Sequence, residues 1–295
     1  MRFGGHESFA VREGWLSRGL EILCEQPALL VDEFAEDHLG VGRNMAKSIR
    51  HWLQATGLAH TGSAEGTLPT ATPLGRLIHK KDPHLMDTGS WWTLHINLIN
   101  NPESAFTWNW FFNQWALQRF DRSPCIEGLR RFATATLPRV PASRTLERDV
   151  ATLLQSYARP IPAVVDDPED SSDSPFQDLN LLLHFGASGY YQFNFDPKPI
   201  PRGVFGYAVA RFASTEGRTD FSLTELERSA SAPGRAFVLR GDDLFDLLLA
   251  FEEQDKSLFA MRAQAGERAV RVAAKKDPLD WLKMHYAEER TTAHA

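Results

Sequence analysis

Eight large aromatic side chains crowd the segment from Asp82 to Trp115: Trp91, Trp92, Phe106, Trp108, Trp110, Phe111, Phe112 and Trp115. Pro102 divides the segment, which predicts one helix from about Ser90 to Asn100 and another from about Ser104 to Phe120. Rings in such numbers could stack bases, as single-strand binders do. Their helical spacing and uncharged surroundings favour the buried centre of a helical bundle instead. A large helical core is the expectation.

The 295 residues suffice for about two domains. With 43% hydrophobic and 24% charged residues, most of the chain should fold. Cys24 and Cys125 each lack a neighbouring cysteine, which argues against a disulfide framework or a zinc ribbon. The first residues lack an export signal and no apolar run reaches about 18 residues, so the expected location is the cytoplasm, with no membrane partner. A net charge of −6 requires any nucleic-acid contact to be regional.

Such a region lies near the amino end. Arg12 to Cys24 reads as a helix, with Trp15, Leu16, Leu20 and Leu23 at helical spacing, followed by a short acidic helix from Asp32 to Leu39 with Asp32 as its N-cap. Gly40-Val41-Gly42 breaks the pattern. From Arg43 to Thr56, Met45, Ala46, Ile49, Trp52 and Leu53 mark an apolar face and leave Arg43, Asn44, Lys47, Arg50 and His51 as candidate DNA contacts. Leu58-Ala59-His60 and the polar stretch from Thr61 to Leu68 predict a two-stranded hairpin. This order is that of a winged helix-turn-helix. Between Gly40 and Asp82, six basic residues (Arg43, Lys47, Arg50, Arg76, Lys80, Lys81) face two acidic ones (Glu65, Asp82), a local balance of +4. Lys80 and Lys81 join the candidate DNA contacts; the rival reading is a solvated helix face.

Pro138 and Pro141 mark the expected domain boundary, giving 1–140 as an N-terminal winged-helix domain with an aromatic helical extension and 141–295 as a C-terminal domain. Ser143 to Tyr157 reads as a helix, with Ser143 and Glu147 an approximate capping pair. The Asp/Glu/Ser/Pro stretch from Asp166 to Pro175 reads as an irregular acidic loop. An apolar run from Leu179 to Phe185 and an alternating one from Tyr190 to Phe195 follow, then helices at Val204–Ala213, Leu223–Ser229 and Asp242–Gln254, a turn at Ala232-Pro233-Gly234, and strands at Phe259–Arg262 and Ala269–Val272. The order repeats that of the first half and suggests a second, less basic winged-helix-like unit. The fold class expected is mainly α with small β wings.

The opening Phe3-Gly4-Gly5-His6-Glu7-Ser8-Phe9, with Trp15 after it, resembles the signature of a bacterial family known as a domain of unknown function. Leu146-Glu147-Arg148-Asp149-Val150, Glu169-Asp170-Ser171-Ser172-Asp173-Ser174-Pro175, Pro233-Gly234-Arg235-Ala236-Phe237 and Asp277-Pro278-Leu279 match it too, from Phe3 to about Tyr286. The family resembles the SspB-type subunit of DNA phosphorothioation cassettes, which replace a phosphate oxygen by sulfur and use the mark in phage defence. The resemblance implies a DNA-nicking endonuclease acting on double-stranded DNA beside a cysteine desulfurase, an ATP-pyrophosphatase-like enzyme and an ATPase. A non-catalytic recognition subunit and a protein-binding scaffold are the rivals, and a homodimer stays open.

Nicking needs an activated water in line with the leaving oxygen and positive charge on the phosphate, commonly supplied by one or two divalent ions such as Mg or Mn. The family-like motifs offer His6, Glu7, Asp149, Glu169 and Asp170 as catalytic candidates and Glu7, Asp149, Glu169 and Asp173 as metal ligands. Each has a structural alternative. His6 and Glu7 could fasten the N-terminal segment to the core. Asp149 could be an ion-pair partner of Arg144, Arg148 or Arg159.

Overall fold

The computed structural model describes residues 1–60, 68–162, 174–254, 259–264, 267–272 and 277–292. The chain is mainly helical with small sheets and divides into two compact units, Met1–Asn194 and Phe195–Ala295. The division therefore falls after Asn194, beyond the proline-marked boundary at 140/141. The helix that begins at Ser143 packs on the helix before it, and the strands after it complete a sheet with residues from the first half.

The first unit opens with α1 (Trp15–Glu25), α2 (Ala35–Leu39), α3 (Arg43–Ala55), β1 (Ala59–His60), β2 (Thr70–Ala71) and α4 (Pro73–Lys81). Helix α1 buries Trp15, Leu16, Leu20 and Leu23, the face its spacing predicts. Asp32 is not the N-cap of α2: Phe34 holds that place, and the Asp32 carboxylate accepts the Phe34 N–H at 2.9 Å to close the preceding turn. Helix α3 buries Ala46, Ile49, Trp52 and Leu53 against α1. Strands β1 and β2 pair antiparallel, Ala59 opposite Ala71. The second strand thus begins later than expected, and most of the expected polar tip, residues 61–67, lies outside the described residues. The chain then enters α4, capped by the Thr72 hydroxyl, which accepts the Gly75 N–H at 2.9 Å, with Pro73 in the first turn where its missing N–H costs nothing.

The aromatic segment becomes α5 (Thr88–Ile99) and α6 (Phe106–Asn113), followed by β3 (Arg119–Phe120), α7 (Arg122–Thr136), α8 (Ser143–Tyr157), β4 (Ala158–Ile161), β5 (Leu182–Phe185) and β6 (Tyr190–Phe193). Every residue of α5 from Gly89 to Ile99 is buried, as an all-round apolar helix requires. All eight aromatic residues of the segment are buried, so they form the core and are closed to bases. Helix α6 stops at Asn113 rather than near Phe120, because Phe120 instead joins a strand that carries its ring against Phe111 and Trp115. Helix α8 has Ala142 as N-cap with no side-chain cap, so the expected Ser143–Glu147 device does not form. The sheet has the order β3-β6-β5-β4, antiparallel except for the parallel β4–β5 pair.

The second unit comprises α9 (Arg202–Glu216), β7 (Asp220–Ser222), α10 (Leu223–Arg228), α11 (Pro233–Phe237), α12 (Gly241–Gln254), β8 (Phe259–Gln264), β9 (Glu267–Val272) and α13 (Pro278–Thr292). Its sheet has the antiparallel order β7-β9-β8. Ser222 and Glu225 form a full capping box on α10. Pro233 and Gly234, expected to be a turn, open the short helix α11. Among the described residues no helix is long and apolar enough to cross a membrane.

Candidate nucleic-acid interface

The glycine-histidine motif is a fastening. Gly4 takes φ 67°, a left-handed conformation that favours glycine, and its N–H donates to Asp149 Oδ1 at 3.0 Å. A Cβ on Gly5 would stand 2.5 Å from His51 Nδ1, so only glycine fits there. The Ser8 N–H donates to His6 Nδ1 at 3.0 Å, which leaves Nε2 as the protonated nitrogen that donates to Asp149 Oδ1 at 3.0 Å. The Thr107 hydroxyl donates to Asp149 Oδ2 at 2.9 Å. Asp149 and His6 are 2% and 1% exposed, so the three donors serve the carboxylate with almost no water present. The His6 ring also lies 5.5 Å from Trp108 and 6.2 Å from Trp52. The motif thereby ties the N-terminal segment to α3, α6 and α8.

These contacts use both ring nitrogens of His6 and both oxygens of Asp149. None of the three expected ion pairs of Asp149 forms: Arg144 and Arg148 stand exposed on the same helix, Arg159 is exposed on β4, and the partners of Asp149 are His6, Thr107 and the Gly4 backbone. Glu7 has φ 50° and faces solvent, apart from the His6–Asp149 pair. The remaining carboxylate candidates, Glu169, Asp170 and Asp173, lie outside the described residues. Among the described residues no group of three or more His, Cys, Asp or Glu side chains could hold a metal ion; of the expected ligands only Glu7 and Asp149 are among them. Both cysteines are free thiols, and burial pushes Cys125 up to about 12, leaving it inert at neutral pH.

On α3, Arg43, Asn44 and Lys47 are exposed on one stripe. Arg43 Nε pairs with Glu36 at 3.1 Å, a contact that, after the glutamate's own backbone N–H, holds the Glu36 carboxyl below its ordinary range. Arg50 is half-buried and spends a guanidinium N–H on the Leu30 carbonyl at 2.8 Å. His51, expected among the outward DNA contacts, is instead 3% exposed and lodged between His6 and Trp52; burial foremost, with the Arg2 charge adding to it, lowers it to about 3. The helix therefore offers an outer face of Arg43, Asn44 and Lys47, and His51 belongs to its inner face. Lys80 and Lys81 are exposed in the last turn of α4, where they also complement the helix dipole. Asp82, one of the two acids of this segment, is buried and accepts from the Met86 N–H, the Asp87 N–H and the Ser90 hydroxyl. Its charge is spent inward, so the exposed surface of the segment is more cationic than the sequence count suggests.

Further exposed arginines, Arg122, Arg144 and Arg148, stand on α7 and α8 with no ion pair among the described residues. The i,i+4 spacing of Arg144 and Arg148 was the available signal. In the second unit the helix that precedes the hairpin, α12, exposes Asp242, Asp246 and Glu253, a sign opposed to phosphate.

Comparison with known proteins bears on this geometry. Two solved structures, an SspB crystal structure and a magnesium ion-bound SspB crystal structure, each superpose with a TM-score of 0.84 at 26% identity, covering 98% of this chain and 87% of theirs. No curated protein matches. The model of one family, described as "Protein of unknown function (DUF4007)", matches residues 3–286, and the chain belongs to that family and is SspB-like in structure.

Proposed function

We propose that the chain is a double-stranded-DNA-binding subunit of a bacterial DNA phosphorothioate-modification system, acting in the cytoplasm beside a desulfurase, an ATP-pyrophosphatase-like enzyme and an ATPase. The observation that carries this reading is the SspB likeness over 98% of the chain. The order of α1, α2, the Gly40–Gly42 turn, α3 and the β1–β2 ladder supports a winged helix-turn-helix whose second helix enters the major groove. There Asn44 would meet adenine edges, and Lys47 and Arg43 would meet phosphate or guanine. Lys80 and Lys81 would extend the contact along the backbone.

Opening one strand for sulfur insertion is the activity that the resemblance implies. A second reading, recognition without cleavage, is favoured by one observation: His6 and Asp149 have their polar atoms saturated within the protein. A supercoiled plasmid separates the two. Incubated with the purified protein and Mg²⁺ or Mn²⁺, with and without chelator, it becomes open circular if the chain nicks. Closed circles under every condition, together with a gel shift of the same plasmid fragment, leave recognition alone. If there is neither a shift nor a nick, the DNA-binding reading fails.

A further inference from the structure

The four-stranded sheet has two unlike faces. Side chains alternate along a strand, so the register assigns each residue to a face. Phe120 and Phe193 turn inward onto Phe111, with centroid separations of 5.7 and 5.0 Å. On the opposite face the register sets Arg119, Gln192, Leu183 and Arg159 in one row across all four strands. Two residues along, Tyr190 and Phe185 form the next row. Both arginines are exposed, Tyr190 is 37% exposed, and Gln192, Leu183 and Phe185 are half-buried, so among the described residues no element covers this face.

None of the residues in these four strands is acidic. Arg119 lies over the Tyr190 ring, 4.6 Å from its centroid, which builds a guanidinium–phenol platform at one end of the row. Arg159 closes the other end, ~14 Å away across three strand spacings. That separation can bridge phosphates two nucleotides apart on an extended strand while bases lie over the middle of the row. A second copy of the chain fits less well, because a two-fold stack of this face would bring arginines together and none of the strand residues is acidic. Duplex DNA fits less well too, since its rings are already stacked inside the helix.

We infer that the outer face of the β3-β6-β5-β4 sheet is a binding platform for single-stranded nucleic acid, with Tyr190 as stacking residue and Arg119 and Arg159 as phosphate contacts. The inference rests on the reading of the chain as a DNA-handling protein, but it uses a surface separate from α3. A strand opened by a nick or by breathing of the duplex is the form such a platform would hold.

The test is fluorescence anisotropy of the full chain with a fluorescein-labelled oligo-dT, run in parallel with a labelled duplex. Tyr190→Ala should weaken oligo-dT binding roughly tenfold, and Tyr190→Phe should restore it. Arg119→Ala with Arg159→Ala should lower the salt slope by about 1.4, at about 0.7 per phosphate on a single strand. Both variants should leave duplex binding unchanged. Unaltered oligo-dT affinity in Tyr190→Ala, with a native near-ultraviolet spectrum, overturns the proposal. So does a change of Tyr190→Ala from dimer to monomer in sedimentation without loss of oligo-dT binding. If the duplex fails to bind while oligo-dT binds through Tyr190, the duplex reading falls and the platform stands.

Discussion

Replacing Asp149 by alanine removes the acceptor for three donors at once: the Gly4 N–H, His6 Nε2–H and the Thr107 hydroxyl. A buried donor left without a partner costs about 1–3 kcal/mol, and hydrogen bonds to a charged acceptor lie at the upper end. The Thr107 hydroxyl can rotate toward another acceptor, so its loss is the smallest. The sum is about 3–5 kcal/mol, a large share of the roughly 5–15 kcal/mol that holds a domain folded. At about 2–4 °C per kcal/mol for a unit of this size, the midpoint should fall by roughly 10 °C. Asp149→Asn should fall by less, because the amide oxygen keeps the Gly4 and His6 donors and its NH₂ can donate to the Thr107 oxygen. Scanning calorimetry at neutral pH, with urea denaturation as a check on midpoint and slope, measures both. A fastening role predicts the order wild type, Asn variant, Ala variant. Midpoints within a degree or two of wild type in both variants, with plasmid nicking abolished, would return Asp149 to the chemistry and refute the argument.

Acid should loosen the first unit through His51. Its native value of about 3 lies below the ordinary 6.5, so the unfolded chain binds more protons in that window and stability falls as the pH drops through it. At pH 5 the loss is about 2 kcal/mol, and His51→Gln should show a flatter midpoint between pH 7 and 5; parallel curves for the two proteins would contradict this. On DNA, Lys47→Ala should reduce the salt slope of duplex binding by about 0.9, while Arg43→Ala should reduce it by less, since Arg43 already shares its charge with Glu36. Equal slopes for wild type and Lys47→Ala in a titration from low to moderate salt would exclude α3 from the contact.

Periodicity carried most of the helices. The Arg43–Thr56 and Ser143–Tyr157 patterns appear as α3 and α8 almost residue for residue, because one apolar face repeats through each. Helices α4 and α7 were not legible in that way. Helix α4 is too short for its apolar stripe to repeat over more than about two turns, and α7 buries only Cys125, Leu129 and Ala133, so it presents no strong apolar stripe. Strand β3 is two residues long and is defined by its partner β6, many residues away, which no local pattern encodes. The acids and bases of the candidate site are a different case. Sequence gives residue type, and type suggested that His6 and Asp149 do chemistry. Whether a carboxylate is available depends on how many donors the fold brings to it, and those of Asp149 come from Gly4, His6 and Thr107, far apart in the chain.

The same saturation gives so short a motif a structural reason to be specific. Gly4 must reach a positive φ, Gly5 must pass His51 without a Cβ, and the residue at 6 must accept from Ser8 on one ring nitrogen while donating to Asp149 on the other. Histidine, unlike asparagine or glutamine, presents those two functions on opposite sides of a flat ring that also packs against Trp52 and Trp108. Trp52 and His51 are the inner face of α3, and Trp52 Nε1 donates to the Phe9 carbonyl just past the motif. The N-terminal segment is thus the floor on which α3 rests. Its geometry fixes how far the opposite face, with Arg43, Asn44 and Lys47, stands out from the domain. On this account a fault in the motif should loosen α3 before it touches any reacting group, and its effect on DNA should appear first in affinity.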